Sequence, residues 1–190
     1  MTYVFLQMLP VTLLLTPIIT MRSFAEERKQ KTDQALLIAP VSLVEIVFGK
    51  FLGAFLLFCA CNVIYILFAI ILCFYSAPDW GMLCSTLLGM MLLGGALIAI
   101  DIFISVLTES QVIAAVISLG VGLLIFNLNS IAKIISTDWL VDFIYSISFD
   151  NHFTNFINGI ISLPSIIFFL SVIAIFLFLC VRVLEKRRWS

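Results

Sequence analysis

The chain has 190 residues, of which 63% are hydrophobic and 11% charged, with a formal net charge of -1 and a mean hydropathy of +1.24. Soluble domains carry about 25% charged residues, so a water-soluble fold of this size is excluded and lipid must be the main solvent. The charge balance gives nucleic-acid binding no footing.

Apolar runs long enough to cross a bilayer need roughly 20 residues, and about five occur, at 2–21, 46–75, 83–107, 111–132 and 163–183. They are continuous rather than short and alternating, so the expected class is all-α and polytopic, not a barrel. The first run has neither a basic leading region nor a small-residue cleavage site, so it reads as a span and not a signal peptide. Gln7, Pro10 and Pro17 make it irregular. A charged segment follows at 22–45, holding Arg22, Glu26, Glu27, Arg28, Lys29, Lys31, Asp33 and Glu45. Residues 76–82 read as a tight turn, and 108–110 as a very short one. Residues 133–162 are half apolar, with Trp139, Phe143, Tyr145, Phe149, Phe153 and Phe156. They read as short helices at the membrane interface or dipping back into it. Ser162 before Leu163 and Pro164 looks like the cap and start of the last span. Cys59, Cys61, Cys73, Cys84 and Cys180 lie in apolar runs and read as small fillers rather than disulfides or ligands.

Lysine and arginine set the expected orientation. Arg22, Arg28, Lys29, Lys31 and Lys50 follow the first span, and Arg182, Lys186, Arg187 and Arg188 close the last. Only Lys133 falls on the other side, with Asp79, Asp138, Asp142 and Asp150. The 22–45 segment and the C-terminus are therefore expected in the cytoplasm, and the N-terminus outside. An outside start without a basic flank inserts awkwardly, which leads to the expectation that a preceding helix is missing.

Within the charged segment, Ser23 with Glu26 and Ser42 with Glu45 have capping-box spacing. Pro40 ends whatever helix precedes it, so a new helix is expected from about Leu43. Thr32 can cap a short helix with Asp33 in its first turn. Ala35, Leu36, Leu37, Ile38 and Ala39 give that helix an apolar surface, suited either to lying on lipid or to docking on another protein.

The stretch PIITMRSFAEERKQKTDQALLIAPVSLVEIVFGKFLGA resembles the hallmark region of the type-2 ABC transporter permeases. The branch is the one with gliding-motility and nitrous-oxide-reductase-maturation permeases. HFTNFINGIISLPSIIFFL and the final LEKRRW resemble it too, so the likeness runs over essentially the whole chain. It implies a permease subunit of an ATP-binding cassette exporter in a bacterial cytoplasmic membrane. Its implied partners are a separate ATPase that binds ATP and Mg2+, a second permease subunit (identical or not) and membrane lipid. By the same resemblance, Glu26 and Glu27 match an acidic step. Thr32, Asp33, Gln34, Leu36, Leu37 and Pro40 match the coupling helix that seats in the ATPase, and Gly49 and Lys50 match the start of the next span. Lys31 departs from the family's usual glycine, and the family's first transmembrane helix has no counterpart here.

Gly49-Lys50 lacks the flanking residues of a phosphate-binding loop, so the chain itself is expected to bind no nucleotide and to be no enzyme. Asp101 is the one acid inside a span, where acids cost about 2.5–3.5 kcal/mol at the helix centre. Counting turns from the cytoplasmic ends puts Lys50 at a similar depth, and a Lys50–Asp101 pair is the expectation. A substrate or proton path, or water near the inner face, is the alternative. Gly49 with Gly53, and Gly94 with Gly95, form small faces for helix packing, within the subunit or between subunits. His152 is the only histidine and reads as neither ligand nor catalyst. Two other functions stay open: a membrane anchor for an ATPase without transport, and an ion-coupled carrier or intramembrane enzyme.

Overall fold

The computed structural model describes residues 2–30, 42–75, 80–132 and 138–188. Among them are eight helices and no strand. In chain order these are α1 (Thr2–Thr20), α2 (Ala25–Lys29), α3 (Leu43–Tyr75), α4 (Trp80–Leu107), α5 (Gln111–Ala132), α6 (Asp138–Ile147), α7 (Phe149–Ile157) and α8 (Leu163–Arg188). The fold is all-α and polytopic. α3, α4, α5 and α8 are each long and apolar enough to cross a membrane. A helix of 28 residues such as α4 is about 40 Å long, more than the hydrocarbon core of about 30 Å. α1, the other run counted as a span in the sequence, is a 19-residue helix that keeps Pro10 and Pro17 within it.

α4 is the axis of the bundle. It packs against α1, α2, α3, α5, α7 and α8, and its buried residues include Gly89, Gly94, Gly95, Ala96, Ala99, Ser85, Thr86 and Ser105. Small side chains let six neighbours approach one helix, which in lipid is the main route to tight association. The Phe58 ring of α3 occupies the space above Gly94, and Ile173 of α8 and Phe55 of α3 close on Gly95. Phe156 of α7 sits in the same way on Gly89. Gly94 and Gly95 thus pack helices inside the subunit. Gly49 and Gly53 do not: among the described residues, nothing beyond their own helix lies within 4 Å of where their Cβ atoms would stand.

Two apolar clusters flank α4. One joins Met90, Leu93 and Leu97 to Phe149, Phe153 and Phe156 of α7 and Phe169 of α8. The other joins Ile98, Ile102 and Val106 to Leu43, Val47, Phe51 and Phe58 of α3, to Phe24, and to Cys180 and Leu184 of α8. The outer faces stay apolar and open, with Leu56 and Ile64 on α3, Val112 and Val116 on α5, and Ile167 and Phe178 on α8 all exposed. Such surfaces belong in lipid.

α7 is fixed by polar contacts as well as by its phenylalanines. Nδ1 of His152 lies 3.0 Å from the Ser165 hydroxyl and Nε2 lies 3.1 Å from the Ser146 carbonyl. A carbonyl only accepts, so Nε2 carries the proton and Nδ1 accepts from Ser165. The imidazole also stacks on Phe168 with centroids 4.2 Å apart. The helix ends in a Schellman motif. Gly159 adopts φ +78, its N–H donates to the Phe156 carbonyl, and the Ile160 N–H donates to the Asn155 carbonyl. A residue with a Cβ is strained at that φ.

Candidate coupling site

The charged segment meets the bundle at the end where α1 stops, α3 starts, α4 stops and α8 stops. The chain leaves α1 through a turn in which the Ser23 N–H donates to the Thr20 carbonyl at 2.9 Å. It then forms α2, with Glu26 and Glu27 in its first turn and Arg28 and Lys29 in its last. That order suits the helix dipole. Five residues are still too few to hold a helix in water, so the stability of α2 must come from its neighbours.

Ser105 of α4 supplies part of it. Its hydroxyl accepts from the N–H of Phe24 and of Ala25, both at 3.1 Å. It caps a helix about 80 residues away in the chain. The Ser23–Glu26 box expected from spacing does not form: the cap position is Phe24, and no side chain of α2 caps it. The Ser42–Glu45 box does form, with the Ser42 N–H donating to Glu45 at 3.3 Å and the Glu45 N–H to the Ser42 hydroxyl at 3.2 Å.

Lys50 of α3 turns toward α2. Its ammonium pairs with Glu27 at 2.5 Å, donates to the Ser23 carbonyl and lies 4.0 Å from the centroid of the Phe24 ring. Arg28 reaches from α2 to the last turn of α4, donating to the Leu107 carbonyl at 3.0 Å and pairing with Glu109 at 2.6 Å. Arg187 of α8 donates to the adjacent Val106 carbonyl at 2.7 Å. Two arginines from different helices thus satisfy carbonyls that the end of α4 leaves without helical partners. Lys50 and Glu27 are 18% and 32% exposed at their side chains, whereas Glu109 is 71% exposed. The first pair is accordingly the shielded one and the second the one open to salt.

The expected Lys50–Asp101 pair is not formed. Ile98, Ala99, Ile102 and Val106 are α4 residues clustered with α3. Asp101 is one position from Ile102, turned by about 100° around the helix. It faces α1 and α5, where the hydroxyls of Thr16, Ser118 and Thr20 reach its carboxyl. Turn counting puts Lys50 and Asp101 at a similar depth; the rotation of α4 separates them. Thr16 and Thr20 share a face of α1 with Thr12, and all three are buried. Their four-residue spacing is visible in the sequence. Nothing local in the sequence announced Ser105 as the cap of α2 or Arg187 as a ligand of α4.

Of the residues matched to the coupling helix, Thr32, Asp33, Gln34, Leu36, Leu37 and Pro40 lie outside the described residues. Glu26 and Glu27 stand directly before that stretch and Ser42 directly after it. Both its flanks are therefore anchored, one to the α4–α8 corner through α2 and the other into α3 through a closed cap. The arrangement is one of ion pairs and hydrogen bonds that join four helix ends. Among the described residues no group of three or more His, Cys, Asp or Glu residues is placed to hold a metal.

Residues 2–189 match the sequence model of a family described as ABC-2 family transporter protein. No curated relative matches the chain.

Proposed function

The chain belongs to the ABC-2 transporter family and so is a permease-type membrane subunit of an ABC transporter, and from that premise we propose that it works in export, driven by ATP hydrolysed in a separate ATPase chain. The ATPase, with its ATP and Mg2+, seats on residues 32–40. The supporting observation is that both flanks of that stretch are tied to transmembrane helices, by Lys50–Glu27 and Ser105 on one side and by the Ser42–Glu45 cap on the other. A push on the seat then moves α2 and the head of α3 together, and through them the α4 axis. ATP shifts the equilibrium of the bundle only insofar as this contact differs between states.

In the same reading the α2 end of the bundle faces the cytoplasm of a bacterial cell and α1 is a fifth span. A second permease subunit then packs on the open Gly49–Gly53 face of α3. The test is purification of the permease with its co-expressed ATPase, followed by replacement of residues 32–40 with a glycine-serine linker. Loss of the ATPase from the complex is the expected result. An ATPase that stays bound with unchanged turnover would overturn the assignment. If the wild-type complex, reconstituted in liposomes, hydrolyses ATP but moves no lipid, hydrophobic drug or peptide, the chain is an anchor and not an exporter.

A further inference from the structure

Asp101 is 3% exposed, and its Oδ2 has no hydrogen-bond partner among the described residues. Among the described residues no ion pair reaches it: the ammonium of Lys50 pairs with Glu27 and the guanidinium of Arg28 with Glu109. What reaches the carboxyl is a set of hydroxyls: Thr16 and Thr20 of α1 and Ser118 of α5. Each is buried, at 1%, 1% and 3% exposure. A hydroxyl has one proton to give, and Thr20 gives its own to the Thr16 carbonyl at 2.8 Å. Thr20 therefore turns lone pairs, not a donor, toward the carboxyl. Pro17 has no N–H to give the Leu13 carbonyl, so α1 also bears a backbone oxygen relieved of its helical bond close to Thr16.

The Thr20 oxygen and the Asp101 carboxylate, with no Thr20 proton between them, repel one another unless a proton on the carboxyl or a cation stands there. A buried, unpaired carboxylate is costly in a bundle surrounded by lipid. The donor set is all oxygen, which selects a hard cation over a soft one. It carries a single negative charge, which one monovalent ion neutralises and a divalent ion would exceed.

We propose that Asp101, Thr16, Thr20 and Ser118 form a binding site for one dehydrated alkali cation of the sodium class, shared by α1, α4 and α5. The ion ties the three helices at one point. Ser105, one turn from Asp101 on α4, carries the cap of α2, so the state of the ion site is felt at the coupling end. The proposal does not depend on how the chain engages an ATPase, because the site lies wholly within the permease.

The test is equilibrium binding of radioactive sodium to the purified permease in nanodiscs, with choline chloride holding the ionic strength. Saturable binding of one ion per chain is expected, competed by lithium and accompanied by a higher unfolding temperature in sodium than in choline. Asp101→Asn is expected to abolish both effects. Thr16→Val and Ser118→Ala are expected to weaken binding roughly tenfold. If Asp101→Asn does not fold, Ser118→Ala and the wild type still decide the matter. No saturable sodium binding by the wild type, or binding that survives Asp101→Asn, would overturn the site. So would a stability that follows pH alone and ignores sodium, which would make Asp101 a proton carrier.

Discussion

Lys50 shows how one side chain is claimed by the nearer of two acids. At the head of α3 its flexible stem reaches back toward the polar end of the bundle, the direction in which a cation in a membrane helix lowers its cost. There it meets Glu27, the Ser23 carbonyl and the Phe24 ring. Because the pair is partly shielded, Lys50→Ala is expected to lower stability by about 1–2 kcal/mol. Lys50→Met combined with Glu27→Gln should recover part of that loss, as a double-mutant cycle by thermal unfolding in nanodiscs will read. Raising the salt concentration should leave this pair largely intact and weaken Arg28–Glu109. Ser105 offers a cleaner case. Ser105→Ala removes the cap of α2 and is expected to cost about 1 kcal/mol. Hydrogen exchange is the measurement: the amides of Phe24 and Ala25 should exchange faster while those in the middle of α4 stay protected.

At the scale of elements, α4 succeeds as an axis because it is lined with small residues where rings arrive. A Cβ on Gly94 would enter the Phe58 ring, and one on Gly89 would stand 2.6 Å from the Cβ of Phe156. Gly94→Ala and Gly89→Ala are expected to destabilise by about 1–3 kcal/mol through overpacking, despite the helix propensity alanine adds. Gly53→Ala meets open space and should leave unfolding of the isolated subunit unchanged or slightly improved. α7 depends on a different device. His152→Ala removes the acceptor of Ser165 and the partner of Phe168. Faster proteolysis within residues 149–162, with α3 and α4 unaffected, is the expected outcome. The two apolar clusters explain the division, since α7 belongs to one and the coupling end to the other.

For the whole molecule, the distribution of open surface carries the next prediction. Among the described residues, nothing covers the α3 face bearing Gly49 and Gly53. If a second permease subunit lies on it, Gly53→Leu should reduce cross-linked dimer in membranes without changing the fold of the single subunit. Unchanged cross-linking would assign that face to lipid. Much of this architecture was legible in the chain alone. Long uninterrupted apolar runs admit only helices in lipid, and Pro40 and Ser42 before Leu43 mark the start of α3. The match over residues 2–189 accords with the resemblance to type-2 ABC permeases read from residues 17–54. What the residues could not announce was rotation. Spacing along a helix tells which side chains share a face, as with Thr12, Thr16 and Thr20, but not which neighbour that face meets. Asp101 and Lys50 agree in depth and diverge in direction, and Ser105 caps a helix about 80 residues away. Class, spans and the polar segment follow from local chemistry, because apolar runs and caps act within a turn or two. The partners of Asp101, Ser105 and Arg187 follow from how α4 is turned among its six neighbours, a choice made by packing of the whole bundle.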